Sequence, residues 1–278
     1  MTGIHLDGAT RVVAIVGDPI AQVKSPGGVS RTFAARGLNA VVVPIHVTPA
    51  DVDGFIRGAS LARNFDGIIA TVPHKFAAFG HCATATGRAR FLVSANVLRR
   101  NADGSWHGDA VDGAGFVDAM RGSGYEPSGR AALVVGAGGA GSAIAHALVE
   151  AGVVRLAVHD GDSTRRDALL ERLRSLRTPV QPGSDDPSGF EIVVNATPTG
   201  MRPEDPLPVR VERLAPGMFV GDVITAPEVT PLLHAARQAG CVTQTGVAMF
   251  QGVLQRMIAF LLEDGPLAAR LAGEPPRP

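Results

Sequence analysis

A glycine-rich segment near the middle of the chain could bind a phosphorylated ligand. Residues 132–135 read Ala-Leu-Val-Val and are followed by the turn Gly136-Ala-Gly-Gly-Ala-Gly141 and then by a helical pattern. Gly136 permits the sharp turn, Gly138 lets the backbone approach a pyrophosphate, and Gly141 lets helix and strand pack closely. Gly139 belongs to the same turn, and the free N–H groups of the helix N-terminus favour phosphate. The pattern therefore predicts a dinucleotide site, and a glycine turn without a ligand is the alternative.

An acidic residue follows the next predicted strand, which covers residues 156–159. Asp160 stands there, where a ribose-reading carboxylate is expected about 20 residues after the glycine turn. A carboxylate accepts hydrogen bonds from the 2′- and 3′-hydroxyls and repels a 2′-phosphate, so we expect NAD to be preferred over NADP. The alternatives are that Asp160 caps a helix or forms a turn, and that the nearby Arg165 and Arg166 are simply solvated.

Short β-branched runs alternate with helical patterns along the chain, which predicts an α/β fold with largely parallel sheets. The predicted strands are residues 12–16, 41–45, 67–72, 133–135, 156–159, 192–195 and 218–223. Two predicted helices, 143–151 and 231–239, are each followed by a glycine that suits a left-handed helix end.

The chain is long enough for two domains. A polar, glycine-containing turn at residues 109–115 precedes a second set of strand-helix units and marks a predicted boundary. The last predicted helix, 247–263, lies beyond the final strand of the second unit and need not belong to it. The proline-rich tail that starts at Gly273 is predicted to be frayed.

The composition excludes several classes of function. The 278 residues include 26 Lys+Arg and 26 Asp+Glu, so no broad basic face is available for nucleic acid or anionic lipid. The uncharged stretch 131–149 contains glycines and His146, which favours a strand, a turn and a buried helix over a membrane span. Cys82 and Cys241 lie far apart in no metal-ligand spacing, so neither a disulfide framework nor a metal site is expected. Reduced thiols, and the lack of an export segment at residues 1–7, predict a cytoplasmic protein.

Several short motifs precede and follow the glycine turn in a defined order. They are Gly17-Asp-Pro-Ile20, Lys24-Ser-Pro26, Ala70-Thr-Val-Pro-His-Lys75, Asn96, Gly108-Asp-Ala-Val-Asp-Gly113, Asn195-Ala-Thr-Pro-Thr-Gly-Met201 and Gly221-Asp-Val223. Taken together, this series resembles the shikimate/quinate dehydrogenase family over nearly the whole chain. Each motif is short, and the order and spacing carry the specificity.

The resemblance implies an N-terminal α/β substrate domain at residues 1–111, to which the C-terminal segment 247–278 returns, and a Rossmann domain at residues 112–246. It also implies hydride transfer between NAD(P) and a hydroxylated alicyclic carboxylic acid such as shikimate, with Lys75 and Asp112 as the catalytic pair. On chemical grounds, a lysine whose pKa is lowered by burial can accept the hydroxyl proton and return it in the reverse direction. An adjacent aspartate can position that lysine.

The same resemblance suggests groups that bind the ligands. The hydrogen-bonding groups for the substrate's carboxylate and hydroxyls would be Ser25, Thr71, Asn96 and Gln251. The cofactor residues would be the glycines of the turn, Asp160, Asn195 and Thr197.

Simpler interpretations exist for four of these residues. Lys75 could be an ordinary exposed lysine, and Asp112 could cap a helix. Asn96 could serve only a turn, and Ser25 could cap the helix that Pro26 begins.

Four positions depart from the family's pattern. Gln22-Val23 stands where the family has a His-Ser pair, and Ile69 stands where it has an asparagine. Polar contacts to the substrate are thereby replaced by apolar groups, which should weaken the binding of shikimate. The place of the family's substrate-reading glutamine is Val253, and we take Gln251 over Gln255 as its substitute.

The cofactor segment Asp160-Gly-Asp162 also differs from the family's common Asn-Arg-Thr, whose arginine clamps the 2′-phosphate of NADP. This agrees with the expected preference for NAD. The competing functions are a dehydrogenase for quinate or another shikimate analogue, and a non-catalytic dinucleotide-binding regulator. Retention of Lys75 and Asp112 argues against the regulator. We expect a small-molecule substrate and a monomer or homodimer.

Overall fold

The chain folds into two α/β units. A computed structural model describes residues 6–273, so the N-terminal residues 1–5 and most of the predicted frayed tail lie outside the described part. The first unit comprises the chain up to Val111 and from Leu254 onward, and the second comprises residues 112–253. The second division lies within a single continuous helix, Gly246–Glu263. The expected domain limits, after residues 111 and 246, stay predictions.

The first unit contains a six-stranded mixed sheet. Its elements before the division are β1 (Arg11–Gly17), α1 (Ser25–Ala35), β2 (Ala40–His46), α2 (Val52–Leu61), β3 (Phe65–Ala70), α3 (Lys75–Gly80), β4 (Cys82–Ala85), α4 (Gly87–Leu92), β5 (Val97–Arg100) and β6 (Trp106–Asp109). The strand order is β2-β1-β3-β5-β6-β4. Strands β1, β2 and β3 are parallel, whereas β5 runs antiparallel to both β3 and β6.

Helix α2 shows how the sequence builds this layer. Val52, Ile56 and Ala59 are buried and recur at helical spacing, so they form one apolar face. That face belongs to the same buried cluster as Ile68 of β3 and Leu98 of β5. Burial of this face against the sheet therefore determines the position of the helix. The sheet in turn determines where the loops that follow its strands begin.

Strand β2 forms one edge of this sheet. Its first half alternates between buried and partly buried residues, but Val43 and Pro44 are both exposed. Proline lacks a backbone N–H and is tolerated within a sheet mainly at an edge. The position of β2 in the sheet is thus consistent with its sequence.

The second unit contains a six-stranded sheet that is parallel throughout. Its elements are α5 (Asp112–Gly122), β7 (Ala131–Val135), α6 (Gly139–Glu150), β8 (Arg155–His159), α7 (Ser163–Leu173), β9 (Val180–Pro182), β10 (Ile192–Asn195), β11 (Phe219–Asp222), α8 (Pro231–Gln238) and β12 (Val242–Gln244). The strand order is β12-β11-β10-β7-β8-β9. Gly152 and Gly240 follow α6 and α8 with φ of +87° and +77°, which confirms the predicted left-handed helix ends.

The C-terminal part of the chain consists of two helices, α9 (Gly246–Glu263) and α10 (Gly265–Leu271). The second half of α9 and all of α10 belong to the first unit. There, Leu261 packs so close to β3 that a Cβ on Gly67 would lie 2.6 Å from its Cδ2 atom. A glycine in β3 therefore makes room for the returning helix.

Val93 has an unusual backbone conformation at the end of α4. Its φ of 50° and ψ of 41° lie in the left-handed region, and it is the one non-glycine residue with positive φ in the described part of the chain. The Ser94 N–H donates to the Ala89 carbonyl at 3.1 Å, which closes a helix end that usually carries glycine. A β-branched side chain in this conformation costs about 1–2 kcal/mol. The strained residue lies three positions before Asn96.

We expect Val93→Gly to raise the free energy of unfolding by about 1 kcal/mol, because relief of the left-handed strain outweighs the conformational entropy that glycine loses on folding. Urea denaturation followed by circular dichroism measures this. Val154→Gly is the matched control, because Val154 is 55% exposed against 53% for Val93 and has no positive φ. The control should lower stability, and a Val93→Gly protein that is also less stable than the parent would contradict the interpretation.

Candidate active site

The glycine turn of the second unit has the tight geometry that its sequence predicts. Gly136 follows β7 with φ of +103°, and a Cβ at this position would lie 2.8 Å from the Ala196 carbonyl oxygen. A Cβ on Gly141 would overlap the carbonyl oxygen of Gly136 itself. Both positions therefore exclude any side chain, and the start of α6 lies directly against the end of β7.

The outer side of the same turn is open. A Cβ on Gly138 or Gly139 would meet no other atom within 4 Å. Gly138 is the residue that precedes α6, and it has no side chain to accept hydrogen bonds from the N–H groups of the first turn. Free N–H groups at the positive end of a helix dipole suit an anionic diphosphate. The residues present therefore fit a dinucleotide cofactor.

Asp160 lies directly after β8 and next to the glycine turn. Its carboxylate accepts a hydrogen bond from the Ala137 N–H at 2.6 Å and another from the Asp162 N–H at 2.8 Å. The helix-capping role belongs to Asp162, whose carboxylate accepts from the N–H groups of Thr164 and Arg165. The alternative in which Asp160 caps α7 is therefore wrong, and Asp160 instead contacts the turn that would hold the pyrophosphate.

A cation also lies near this carboxylate. Arg165 Nη1 is 3.9 Å from Asp160 Oδ2, and Arg165 Nη2 is 3.4 Å from Asp162 Oδ2. Arg166 pairs with Asp167, at 2.8 Å. The interpretation that Arg165 is simply solvated is therefore incomplete, because its guanidinium group lies beside the two carboxylates at the predicted ribose site.

In the first unit, three of the predicted residues come together at one end of β3. Thr71 follows the strand directly, and its N–H donates to the Val16 carbonyl at 2.9 Å. The Asn96 carbonyl accepts from the Ala70 N–H at 2.9 Å. The Lys75 carbonyl, in turn, accepts from the Ala95 N–H at 3.0 Å. Backbone bonds thus hold Thr71, Lys75 and Asn96 in one region.

Asn96 and Ser25 are both buried. The Oδ1 atom of Asn96 accepts from the Val111 N–H at 2.9 Å, so this side chain fixes the backbone that precedes Asp112. Ser25 is the first residue of α1, and Lys24 precedes the helix without a side-chain capping bond. Ser25 therefore does not occupy the capping position that the simpler interpretation gave it.

His74 is a residue of this region that the sequence pattern did not single out. Its ring is buried, and Nε2 donates to the Val47 carbonyl at 2.7 Å, which ties the segment before Lys75 to the loop after β2. The signal was present, because His74 lies inside the Thr-Val-Pro-His-Lys motif. Its partner is 27 residues away, and no local pattern identifies it.

Known proteins resemble the chain both in sequence and in fold. A family model described as the shikimate dehydrogenase substrate binding domain matches residues 15–98. A shikimate dehydrogenase (NADP(+)) from Rubrobacter xylanophilus is 40% identical over 97% of this chain and 98% of its own length. The chain belongs to the shikimate dehydrogenase family. This confirms the family inferred from the order of the motifs, together with the α/β class.

Two solved structures show the breadth of the shikimate dehydrogenase fold. Quinate dehydrogenase from Corynebacterium glutamicum, in complex with NAD, is 28% identical with a TM-score of 0.83, over 95% of this chain and 98% of that one. The 5-ketofructose reductase of a Gluconobacter strain is 25% identical with a TM-score of 0.84, over 95% of this chain and 97% of that one. Both comparisons cover nearly the entire length.

Two further family residues lie in the second unit. Asp112 is the first residue of α5, where the helix dipole favours a negative charge. Gln251 lies in the first half of α9 and is exposed. The pairing of Asp112 with Lys75 and the contact of Gln251 with substrate stay predictions, as do the roles of the other site residues.

Two kinds of feature are absent from the part of the chain that the structure describes. Within residues 6–273, no helix has the length and apolar character needed to cross a membrane. The same residues hold no group of three or more His, Cys, Asp or Glu side chains placed to bind a metal ion.

Proposed function

We propose that the protein is an NAD(P)-dependent oxidoreductase that interconverts a hydroxylated alicyclic carboxylic acid, such as shikimate, and its ketone. The observation that carries the proposal is the grouping of Lys75 with Thr71 and Asn96, which backbone hydrogen bonds hold together. The glycine turn of the same chain fits the cofactor. A titratable lysine among hydrogen-bonding side chains is what proton transfer to and from a substrate hydroxyl requires.

Lysine usage supports a specific role for Lys75. The chain has 26 basic residues, of which only Lys24 and Lys75 are lysines. Arginine keeps its proton in proteins, so of these two residue types only lysine can release and recover a proton. Position 75 therefore carries a residue that can release a proton, in a chain whose other basic residues, Lys24 excepted, are arginines.

In the proposed mechanism, Lys75 accepts the proton of the substrate hydroxyl during oxidation and returns it during reduction. A bound nicotinamide supplies the hydride acceptor or donor. Asp112 would balance the charge on the lysine and orient it. Ser25, Thr71, Asn96 and Gln251 would hold the substrate by hydrogen bonds to its carboxylate and hydroxyls.

We expect Lys75→Ala to lower kcat by about 10² to 10⁴, because general acid/base catalysis contributes about that much. Lys75→Arg should be similarly impaired, since it keeps the charge but cannot release the proton. Steady-state rates on shikimate and quinate measure the loss, and calorimetry should find unchanged cofactor affinity. Lys24→Ala, which removes the other lysine, is the matched control and should retain most of the activity.

A double-mutant cycle tests the proposed pair. Asp112→Ala should also lower kcat, and the double variant should lose less than the product of the two single losses if the residues act as one unit. Near-normal turnover in Lys75→Ala would refute the assigned chemistry. Cofactor binding by the unmodified protein without turnover on any cyclic acid would favour the dinucleotide-binding regulator instead.

For the cofactor, we propose a preference for NAD. The Asp160 carboxylate stands after β8, where it can accept from ribose hydroxyls, and Gly161 has no side chain to clamp a phosphate. NADP is the second candidate, because Arg165 lies 3.9 Å from Asp160 and the Rubrobacter relative is named for NADP(+). We favour NAD because a carboxylate at this position accepts from ribose hydroxyls and would repel a 2′-phosphate.

We expect a higher kcat/KM with NAD than with NADP. Asp160→Asn combined with Gly161→Arg should shift the preference towards NADP, and the new amide can still accept from the Ala137 N–H. Arg165→Ala is the discriminating control, which should lower only the residual activity with NADP. Initial rates with both cofactors measure these effects, and a clear preference of the unmodified protein for NADP would overturn the proposal.

For the substrate, we propose weaker recognition of shikimate than the family pattern provides. Val23 is partly buried and lies two residues before Ser25, where its apolar side chain replaces a serine. Ile69 is 1% exposed and pairs with Ile15 and Val97 across the sheet. An asparagine at position 69 would therefore bury an amide among apolar strands, so Val23 is the better position at which to restore a polar contact. The resemblance to 5-ketofructose reductase supports testing other polyols and keto sugars as well.

We expect Val23→Ser to raise kcat/KM for shikimate by about tenfold, which is the effect of one added hydrogen bond of ordinary strength. Ile69→Asn should instead lower the thermal midpoint without that gain. A substrate panel followed by nicotinamide absorbance measures the first effect. High efficiency of the unmodified protein on shikimate would show that Val23 does not limit recognition.

We propose the cytoplasm as the place of action. Cys82 and Cys241 are free thiols, and burial raises the pKa of both, that of Cys82 to about 12. Such thiols are unreactive and suit a reducing compartment.

For the oligomeric state, we expect a monomer or a homodimer, and sedimentation velocity distinguishes the two.

A further inference from the structure

Asp222 has no part in the mechanism above, although it is fully buried at the end of β11. Its carboxylate accepts hydrogen bonds from the Thr230 hydroxyl at 2.8 Å and from the Ile224 N–H at 2.9 Å. It also accepts from the Asn195 side-chain amide, at 3.2 Å. Burial raises the pKa of this carboxyl group, and the three donors oppose that effect. Burying a charged carboxylate costs free energy unless hydrogen bonds compensate it, and three donors do so here.

Asn195 lies next to Asp222, because the two residues pair across β10 and β11. Its Nδ2 group also donates to the Thr199 carbonyl at 3.1 Å, while its Oδ1 atom accepts from the Thr197 N–H at 3.1 Å and from the Thr197 hydroxyl at 2.6 Å. An ionised carboxylate can only accept, so Asp222 requires the Nδ2 side of the amide to face it. The Thr199 carbonyl, which only accepts, and the Thr197 N–H, which only donates, require the same orientation of the amide, and Asp222 reinforces it with a charged acceptor.

The segment that Asn195 shapes, residues 196–200, lies against the glycine turn. The Ala196 N–H donates to the Val135 carbonyl at 2.7 Å. A Cβ on Gly136 would lie 2.8 Å from the Ala196 carbonyl oxygen and 2.9 Å from Thr197 Cγ2. Because these atoms are in close contact, a change in the segment displaces the turn that would bind the pyrophosphate.

We propose that Asp222 is a positioning residue for the cofactor, acting through the amide of Asn195 and the segment 196–200 on the glycine turn. The inference rests on the proposed function only in that the turn binds NAD or NADP. A second contact of Asp222 offers a comparison, because Thr230 donates to it and also caps α8 by accepting from the Leu233 N–H. If Asp222 only stabilised the fold, loss of its contact with Asn195 and loss of its contact with Thr230 would have the same effect on cofactor binding.

The test measures binding of NAD⁺ and of ADP-ribose by calorimetry, which does not depend on turnover. Asp222→Asn keeps the shape of the side chain but removes the charged acceptor that holds the Asn195 amide, and it should weaken binding about tenfold or more. KM for the acid substrate should stay within about twofold, so the loss falls on the cofactor. Thr230→Val is the matched control, which should lower the thermal midpoint and leave cofactor affinity unchanged.

Asn195→Leu provides a second route if Asp222→Asn does not fold. It removes the amide while Asp222 keeps its bonds to Thr230 and Ile224, and it should cause the same loss of affinity. The double variant should lose little more than either single variant, because the two residues act in series. Normal NAD⁺ affinity in a folded Asp222→Asn or Asn195→Leu protein would overturn the inference, as would an equal loss in Thr230→Val. Binding of NAD⁺ without any turnover would refute the proposed function alone.

Discussion

A backbone carbonyl occupies the space that a side chain at position 141 would need. Because Gly141 has no side chain to collide with this carbonyl, α6 can begin directly at the end of β7. The first N–H groups of α6 therefore lie at the edge of the sheet. The same close approach lets the segment after β10 contact the turn at Gly136, and it brings the Ala137 N–H to the carboxylate of Asp160. The nucleotide end of the molecule therefore depends on one packing constraint that only glycine satisfies.

In the first unit, hydrogen bonds between loops hold the ends of the strands in place. The ends of β1, β2 and β3 are linked by the His74 ring on the Val47 carbonyl and by backbone bonds from Asp18 to Val72 and from Val47 to Gly17. Lys75 starts a helix of only six residues, which could not hold its place by its own hydrogen bonds. Contacts with neighbouring loops supply the rigidity that the proposed acid/base group needs.

Local signals were the predictable part of this molecule. The glycine turn, Asp160 and the parallel strands follow from motifs whose consequences lie within a few residues, and the structure places them accordingly. The antiparallel pairs of β5 were not predicted, because short strands such as Val97–Arg100 carry polar residues and little alternation. His74 and Asp222 were missed for another reason. Their partners are distant in sequence, so only the folded chain reveals what each side chain holds.

The edge position of β2 affects how readily the protein could associate with other chains in a concentrated solution. Residues 41–45 read Val-Val-Val-Pro-Ile, and such a run would readily recruit another extended chain if its outer side were a complete ladder of donors and acceptors. Pro44 interrupts that ladder without disturbing the pairing of β2 with β1. Pro44 at the rim of the sheet would thus limit pairing with another extended chain, which is the effect that gatekeeper residues have beside hydrophobic strands.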